Sequence, residues 1–299
     1  MDIKKYLEEK KEIVDRALEN YLPNRAEKSG EADFPISLRK AIRHSLFSGG
    51  KRIRPILSIA AFEAAGGKGD RILPFACGLE MIHTYSLIHD DLPAIDNDDY
   101  RRGNLTCHKA FGEAIAILAG DGLLTEAFRL MTKEASADPR VTLDIVNGIA
   151  RASGISGMVG GQAADIESEG KEVDFSTVGY IHSHKTGALI LASVRTGVKL
   201  GGGDEKTLKA FTRYGESIGL AFQIVDDILN VEGKAELLGK NTGSDLFKKK
   251  ATYPSLLGIE ESRKRAGELM KSAIDALDPF GPEVEPLREI ARFIVLRES

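Results

Sequence analysis

Tryptophan is absent, cysteine occurs twice, and no stretch approaches a long uncharged apolar run. Two thiols, Cys77 and Cys107, make no disulfide framework in 299 residues, and a reducing, cytoplasmic setting is expected. No Cys/His spacing resembles a zinc site. Without about 18 consecutive apolar residues, no membrane insertion is expected. Met1 to Lys10 is charged throughout and lacks the apolar centre of a signal peptide. Charge of one sign is not in excess either: 41 Lys and Arg face 45 Asp and Glu, a formal net of -4. Such a chain is a poor candidate for nucleic acid through bulk charge. The G-x-x-x-x-G-K-[ST] loop, a strand-linked G-x-G-x-x-G and the G-x-S-x-G elbow are all missing. There is no Pro/Ser-rich linker and no solenoid repeat.

What is present is a soluble-protein balance of 42% hydrophobic and 29% charged residues, enough for a substantial core. The apolar positions recur with helical period. Ile3, Leu7, Ile13, Val14, Leu18 and Leu22 make one stripe, ended by Pro23. Similar patterns cover 37–46, 52–65, 71–90, 110–134, 140–163, 175–200, 204–230, 252–277 and 284–297. Breaks fall at Gly66-Gly67, Asp138-Pro139, Gly201-Gly202-Gly203 and Asp278-Pro279. There is no convincing alternating run and no Asn-Gly hairpin turn, so the expected fold class is all-α, in one domain over residues 1–299.

Five aspartates stand between Asp90 and Asp99, directly after an apolar run. Like charges so close repel unless solvated or neutralised by cations. An acidic helix end is the plain alternative, but carboxylates favour helix N-termini, not C-termini. A magnesium site explains the cluster better, because Mg²⁺ takes few protein oxygens and completes its shell with phosphate. At about 100° per residue, Asp90 and Asp96 lie on different helix faces, so the backbone must bend near Pro93 to bring them together. Asp90 and Asp96 are the candidate ligands and Asp91 a supporting carboxylate. A second set, Gln223, Asp226, Asp227 and Asn230, shares one face of an otherwise apolar helix. Two acidic helix faces invite metals that bridge them across a substrate phosphate.

Cations accompany both. Gly49-Gly50-Lys51-Arg52-Ile53-Arg54-Pro55 offers three in four residues, a point charge and planar forks suited to a diphosphate. Arg101-Arg102 follows the first acidic cluster. Lys185, Lys240 and Lys248-Lys249-Lys250 complete the set. The glycines of Gly154 to Gly161 recur at helical spacing and suit close helix approach better than a phosphate cradle. The combination points to metal-assisted handling of a diphosphate whose other end is apolar.

At these residues the chain resembles the short-chain trans-prenyltransferases of the polyprenyl synthase family, in particular the bacterial farnesyl diphosphate synthase type. Seven motifs match in the family's order: GGKRxRP at Gly49–Pro55, DDxxxxD at Asp90–Asp96, RRG at Arg101–Gly103, GGQxxD at Gly160–Asp165, KTG at Lys185–Gly187, the second aspartate-rich region at Gly219–Asp227 and K-x-TYP at Lys250–Pro254. The resemblance implies an isoprenoid-synthase helical bundle around a central cavity, a homodimer, and three Mg²⁺ ions per active site. The reaction it implies joins isopentenyl diphosphate head to tail to an allylic diphosphate, dimethylallyl or geranyl.

Carried over by motif, Asp90, Asp96 and Asp226 hold the metals. Arg101, Lys185, Lys240 and Lys250 bind the allylic diphosphate. Lys51, Arg54, His83 and Arg102, with the Gly50 backbone, bind isopentenyl diphosphate. Lys185, Thr186 and Gln223 are the catalytic set beside the cation. Tyr85, the bulky residue five positions before the first Asp, and Ser86 act on chain length and favour a fifteen-carbon product, farnesyl diphosphate, over geranylgeranyl diphosphate. One position departs from the family's DDxxD: the third acidic site is Asn230. Two other classes compete: a non-catalytic subunit that modulates a partner synthase, and a class I terpene cyclase. The cyclase has no need of a second cation set at Lys51, Arg54 and Arg102.

Overall fold

The computed structural model describes residues 1–22, 35–133, 138–238 and 252–297, with the backbone alone for 233–238. In chain order the helices are α1 (Ile3–Tyr21), α2 (Ile36–Leu46), α3 (Ile53–Ala64) and α4 (Leu73–Asp90). A two-stranded ladder follows, β1 (Tyr100–Arg101) and β2 (Asn104–Leu105). Then come α5 (Cys107–Phe111), α6 (Glu113–Lys133), α7 (Pro139–Ser153), α8 (Met158–Ser168) and α9 (Phe175–Ile181). A π-helical turn, His182–Gly187, leads into α10 (Ala188–Gly201), followed by α11 (Glu205–Leu238), α12 (Tyr253–Leu257), α13 (Ile259–Ala276) and α14 (Glu285–Leu296). The fold class is all-α.

Local chemistry sets the element ends. Asp2 caps α1 by accepting from the Lys5 amide at 3.2 Å. Asp174 caps α9 through Thr177, and Thr252 with Ser255 forms a capping box at α12. Several expected helices are subdivided. The 110–134 run breaks at Gly112 and the 252–277 run at Gly258, both with positive φ. The 140–163 run breaks between Gly154 and Gly157. The β-hairpin was not expected. Its strands have two residues each, too short for any periodic signal, and its turn is Arg102-Gly103 instead of Asn-Gly. Both turn residues are left-handed, at φ 53° and 79°, as a two-residue hairpin turn requires.

The chain divides into two compact units, one of residues 2–59 and 68–146, the other of 60–67 and 147–299. In the first, α4 is buried over most of its circumference, from Pro74 to Tyr85, and packs against α6. Two α6–α4 approaches are close: a side chain at Gly78 would meet Met131, and one at Gly120 would run into the His89 ring. In the second, α11 packs on α10, α13 and the π-helical turn. Val178, Ile224, Val225, Ile228, Tyr253 and Ala266 form a core cluster there. Gly219 sits against Gly187, and Gly161 against the Lys185 backbone, so these glycines serve close approach.

Candidate active site

The first acidic cluster begins where α4 ends. Past Asp90 the chain does not continue the helix: the Ile95 amide donates to the Leu92 carbonyl and the Asn97 amide to the same carbonyl, at 2.9 and 3.1 Å. Asn97 is left-handed, at φ 53°. This closed turn carries the Asp96 amide to the Asp90 carbonyl, 2.8 Å away. The bend that the spacing demanded is therefore present, and it brings residues 90 and 96 side by side. Asp90 and Asp96 are both partly exposed, whereas Asp91 is only 3% exposed. Asp91 accepts from Arg101 Nε with both oxygens, at 2.8 and 2.9 Å. Burial pushes the Asp91 carboxyl up against the pull of Arg101. Burial also works against the Arg101 cation, but Asp91 outweighs it and the guanidinium titrates above its ordinary value. Asp91 thus anchors Arg101 beside the acidic turn.

The cations of Gly49–Pro55 separate into two roles. Lys51 is exposed. Arg52 is turned inward, 3% exposed, and donates to Asp15 at 2.9 Å, Glu80 at 2.8 Å and the Leu46 carbonyl at 2.7 Å. Of the motif's three cations only Lys51 is exposed; Arg54 is 9% exposed, and Arg52 is structural. Arg102, from the hairpin turn, donates to the Gly49 carbonyl, and a side chain at Gly50 would strike its guanidinium. His83 is held neutral well below its usual range by burial and then by the charges of Arg54, Arg102 and Arg101. Arg54 and Arg102 thus bring positive charge to the neutral His83 in a chain of slightly negative net charge.

Tyr85 is buried one turn above Asp90, its ring edge-on to His89 at 5.6 Å. Burial and then Asp90 push its hydroxyl up. Ser86 donates back to the His83 carbonyl at 2.9 Å.

The second acidic cluster is on α11. Asp226 is 46% exposed and accepts from Arg297 Nη2 at 2.6 Å; that guanidinium also lies 4.4 Å over the Phe222 ring. Asp227 is 5% exposed and points the other way. It accepts from Gln223 Nε2 at 3.0 Å and from the Tyr253 amide at 3.3 Å. Burial pushes its carboxyl up to about 6. Gln223 Oε1 accepts from Thr186 at 2.7 Å, and Lys185 pairs with Asp165 at 2.7 Å. The π-helical turn places Lys185 and Thr186 against α8 and α11; such turns recur at functional sites. Asn230 is exposed. Lys240 and Lys250 lie outside the described residues.

Among the described residues, no three carboxylate, imidazole or thiol groups converge as a ready cage for a metal. Magnesium does not need one, since it binds through one or two carboxylates and takes phosphate and water for the rest. The partly exposed oxygens of Asp90, Asp96 and Asp226 are hard donors of that kind, and the residues fit the ion. Sequence reasoning missed Arg297, His182 and Tyr253. The signal for Tyr253 was its place in the TYP motif. For His182 it was only a histidine near the KTG motif, and for Arg297, well beyond the last motif, there was none.

The polyprenyl synthetase family model matches residues 36–281. A dimethylallyltranstransferase of Fischerella ambigua is 48% identical over 98% of this chain and 83% of its own length. A geranylgeranyl diphosphate synthase of Cyanophora paradoxa is 48% identical over 98% and 96%. A farnesyl diphosphate synthase of Geobacillus stearothermophilus is 47% identical over 89% and 88%. Among solved structures, an apo FPP/GFPP synthase from Zymomonas mobilis superposes with a TM-score of 0.86 at 37% identity, covering 98% of this chain and 99% of that one. Among the described residues no helix is long and apolar enough to cross a membrane. With seven ordered motifs, a helical fold of that shape and a family match over most of its length, the chain belongs to the polyprenyl synthetase family and is a short-chain prenyltransferase.

Proposed function

We propose that residues 1–299 act as one catalytic domain that joins isopentenyl diphosphate head to tail to dimethylallyl and then geranyl diphosphate, releasing (2E,6E)-farnesyl diphosphate. The observation that carries this reading is the presence of two different anion-handling sets. One is the carboxylate turn at Asp90 and Asp96, suited to a metal-borne diphosphate. The other is the Arg54, His83 and Arg102 group, suited to a second diphosphate without metal. A cyclase handles one diphosphate, and a modulating subunit has use for neither.

In this reading Asp90, Asp96 and Asp226 hold magnesium, which when bound neutralises the negative charge that builds on the departing diphosphate. Lys51, Arg54 and Arg102, the Gly50 backbone and the neutral His83 hold isopentenyl diphosphate and orient its double bond. Arg101, fixed by Asp91, and Lys185, with Lys240 and Lys250, face the allylic diphosphate. The allylic carbon–oxygen bond breaks, and the isopentenyl double bond attacks the resulting cation. The released diphosphate takes the proton that restores a double bond. Thr186 and Gln223 present oxygens beside the cation, and apolar surroundings keep water from it.

A homodimer is part of the proposal: α6 and α7 expose Ile117, Leu118 and Leu143, apolar side chains that a second copy would cover. A cytoplasmic setting fits two buried free thiols, Cys77 and Cys107, whose burial pushes both up and keeps them unreactive.

The fifteen-carbon limit rests on Tyr85. Replacing Tyr85 with Ala should shift the main product to twenty carbons or more, read by chromatography of the dephosphorylated alcohols. Unchanged chain length would remove Tyr85 from the floor of the tail site. Because Asn230 is exposed and Asp226 carries the ligand role, Asn230→Asp should change the magnesium requirement by less than about fivefold. A wild type inactive at saturating magnesium and a strongly active Asn230→Asp would contradict this. The whole reading is tested by incubating the purified chain with isopentenyl diphosphate, geranyl diphosphate and magnesium. A farnesol peak after phosphatase treatment supports it. A twenty-carbon main product moves the chain to geranylgeranyl synthesis, cyclic hydrocarbons to cyclisation, and no turnover without another protein to a subunit role.

A further inference from the structure

Asp227 is the best-satisfied carboxylate in the second acidic cluster, and both of its oxygens face donors. Oδ1 takes the Gln223 amide nitrogen at 3.0 Å; Oδ2 takes the Tyr253 amide at 3.3 Å and lies 3.3 Å from His182 Nε2. The His182 ring is buried and stacked on Tyr253 at 5.2 Å. Its Nδ1 is buried with no hydrogen-bond partner among the described residues, so a neutral ring keeps its one hydrogen on Nε2, toward Asp227. An ionised carboxylate only accepts. Gln223 is therefore obliged to turn its NH₂ to Asp227 and its carbonyl oxygen to Thr186, which donates to it at 2.7 Å. A threonine hydroxyl has one hydrogen. Spent on Gln223, it leaves Thr186 presenting lone pairs alone on its remaining side. Lone pairs stabilise an adjacent carbocation, whereas a hydroxyl hydrogen aimed at it would oppose it.

We propose that Asp227 is a positioning residue, assisted by His182 and the Tyr253 amide, that fixes the direction of the Gln223 amide and thereby the polarity of the Thr186 hydroxyl toward the allylic cation. This rests on the catalytic role given above to Thr186 and Gln223. It separates the two neighbours on α11: Asp226 faces outward for metal, and Asp227 faces inward and organises the oxygens beside the cation.

Asp227→Asn is the decisive variant, because it keeps size and reverses polarity at one atom. The Tyr253 and His182 donors claim the new side chain's oxygen. Its NH₂ then faces Gln223, which has to reverse, so that N–H groups point at Thr186. The expected result is a fall in kcat of about 10²-fold, with KM for both diphosphates and the magnesium requirement within about threefold of wild type. The melting temperature should hold or rise, since a buried charge is removed. In a Thr186→Val background the same substitution should change kcat by less than about threefold, the signature of two groups acting as one unit. A kcat near wild type, full additivity with Thr186→Val, or recovery of kcat by excess magnesium would each overturn the proposal; the last would make Asp227 a metal ligand. Should the Asn variant not fold, His182→Phe, which keeps the stack on Tyr253, is read in the same cycle. It should lower kcat about fivefold without adding to Thr186→Val, and an unchanged kcat would overturn the proposal. A wild type that elongates no allylic diphosphate defeats the parent reading itself, and that result is visible before any variant is compared.

Discussion

Asp90→Asn should reduce kcat about 10³-fold at saturating substrates and magnesium, close to 4 kcal/mol of lost transition-state stabilisation. Asp90 closes α4, and its carbonyl already holds the Asp96 amide at 2.8 Å, so the turn is pinned by backbone and does not depend on the side chain. The asparagine keeps the size and shape of that side chain. What it removes is one full negative charge from a partly exposed pair. The loss should be concentrated in kcat, because charge on the departing diphosphate grows only as the bond breaks. Asp96→Asn should behave alike, and the double variant should lose little more than either single one, as expected of two ligands to one ion. Steady-state kinetics across a magnesium titration distinguish the alternatives. Asp90→Asn retaining more than a tenth of wild-type kcat would remove Asp90 from the metal site.

The largest effect on stability is expected at Arg52. Its guanidinium is 3% exposed and joins α1, through Asp15, to α4, through Glu80, and to the end of α2, through the Leu46 carbonyl. Burial acts against the charge, but Glu80 and Asp15 outweigh it and hold the group above its usual value. Arg52→Ala should cost about 3–5 kcal/mol, because it strands the Glu80 carboxylate, itself 2% exposed, without a partner. Glu80→Gln should cost less, since the glutamine oxygen can still accept from Arg52 and Asp15 still pairs the guanidinium. Arg52 is also left-handed, at φ 51°, a conformation that a non-glycine residue adopts only when its surroundings hold it there. Urea denaturation gives the difference directly, and a change under about 1 kcal/mol for Arg52→Ala would show that the network is not structural. Lys51→Ala, one residue away and exposed, should leave stability within about 0.5 kcal/mol of wild type.

That contrast between Lys51 and Arg52 marks where sequence reading stops. Three cations in Gly49–Pro55 look equivalent as letters, yet Lys51 is exposed, Arg54 is 9% exposed, and Arg52, left-handed at φ 51°, is buried against Asp15 and Glu80. The aspartate pairs behave the same way. Neighbouring residues on a helix point about 100° apart, so one member of each pair must face in, but spacing alone does not say which. Burial answers: Asp91 and Asp227 face in and bond to Arg101 and Gln223, while Asp90 and Asp226 face out. The helices themselves were legible because their apolar stripes are long and periodic. The hairpin at Tyr100–Leu105 was not, having two residues per strand and an Arg-Gly turn. The closing of Asp96 onto Asp90 was legible as a requirement, from six-residue spacing and Pro93, although its means, the left-handed Asn97, was not. The Thr186–Gln223–Asp227 chain was half visible: the face shared by Gln223 and Asp227 follows from their spacing, but Thr186 and Tyr253 come to it only through tertiary packing.

The most direct test of the metal-and-diphosphate account is a crystal structure of this chain with magnesium and a non-hydrolysable allylic diphosphate analogue. The account predicts octahedral density bridging the analogue's diphosphate to the carboxylates of Asp90 and Asp96, with a further ion on Asp226. Analogue bound at full occupancy with no metal on any of these three aspartates would contradict it.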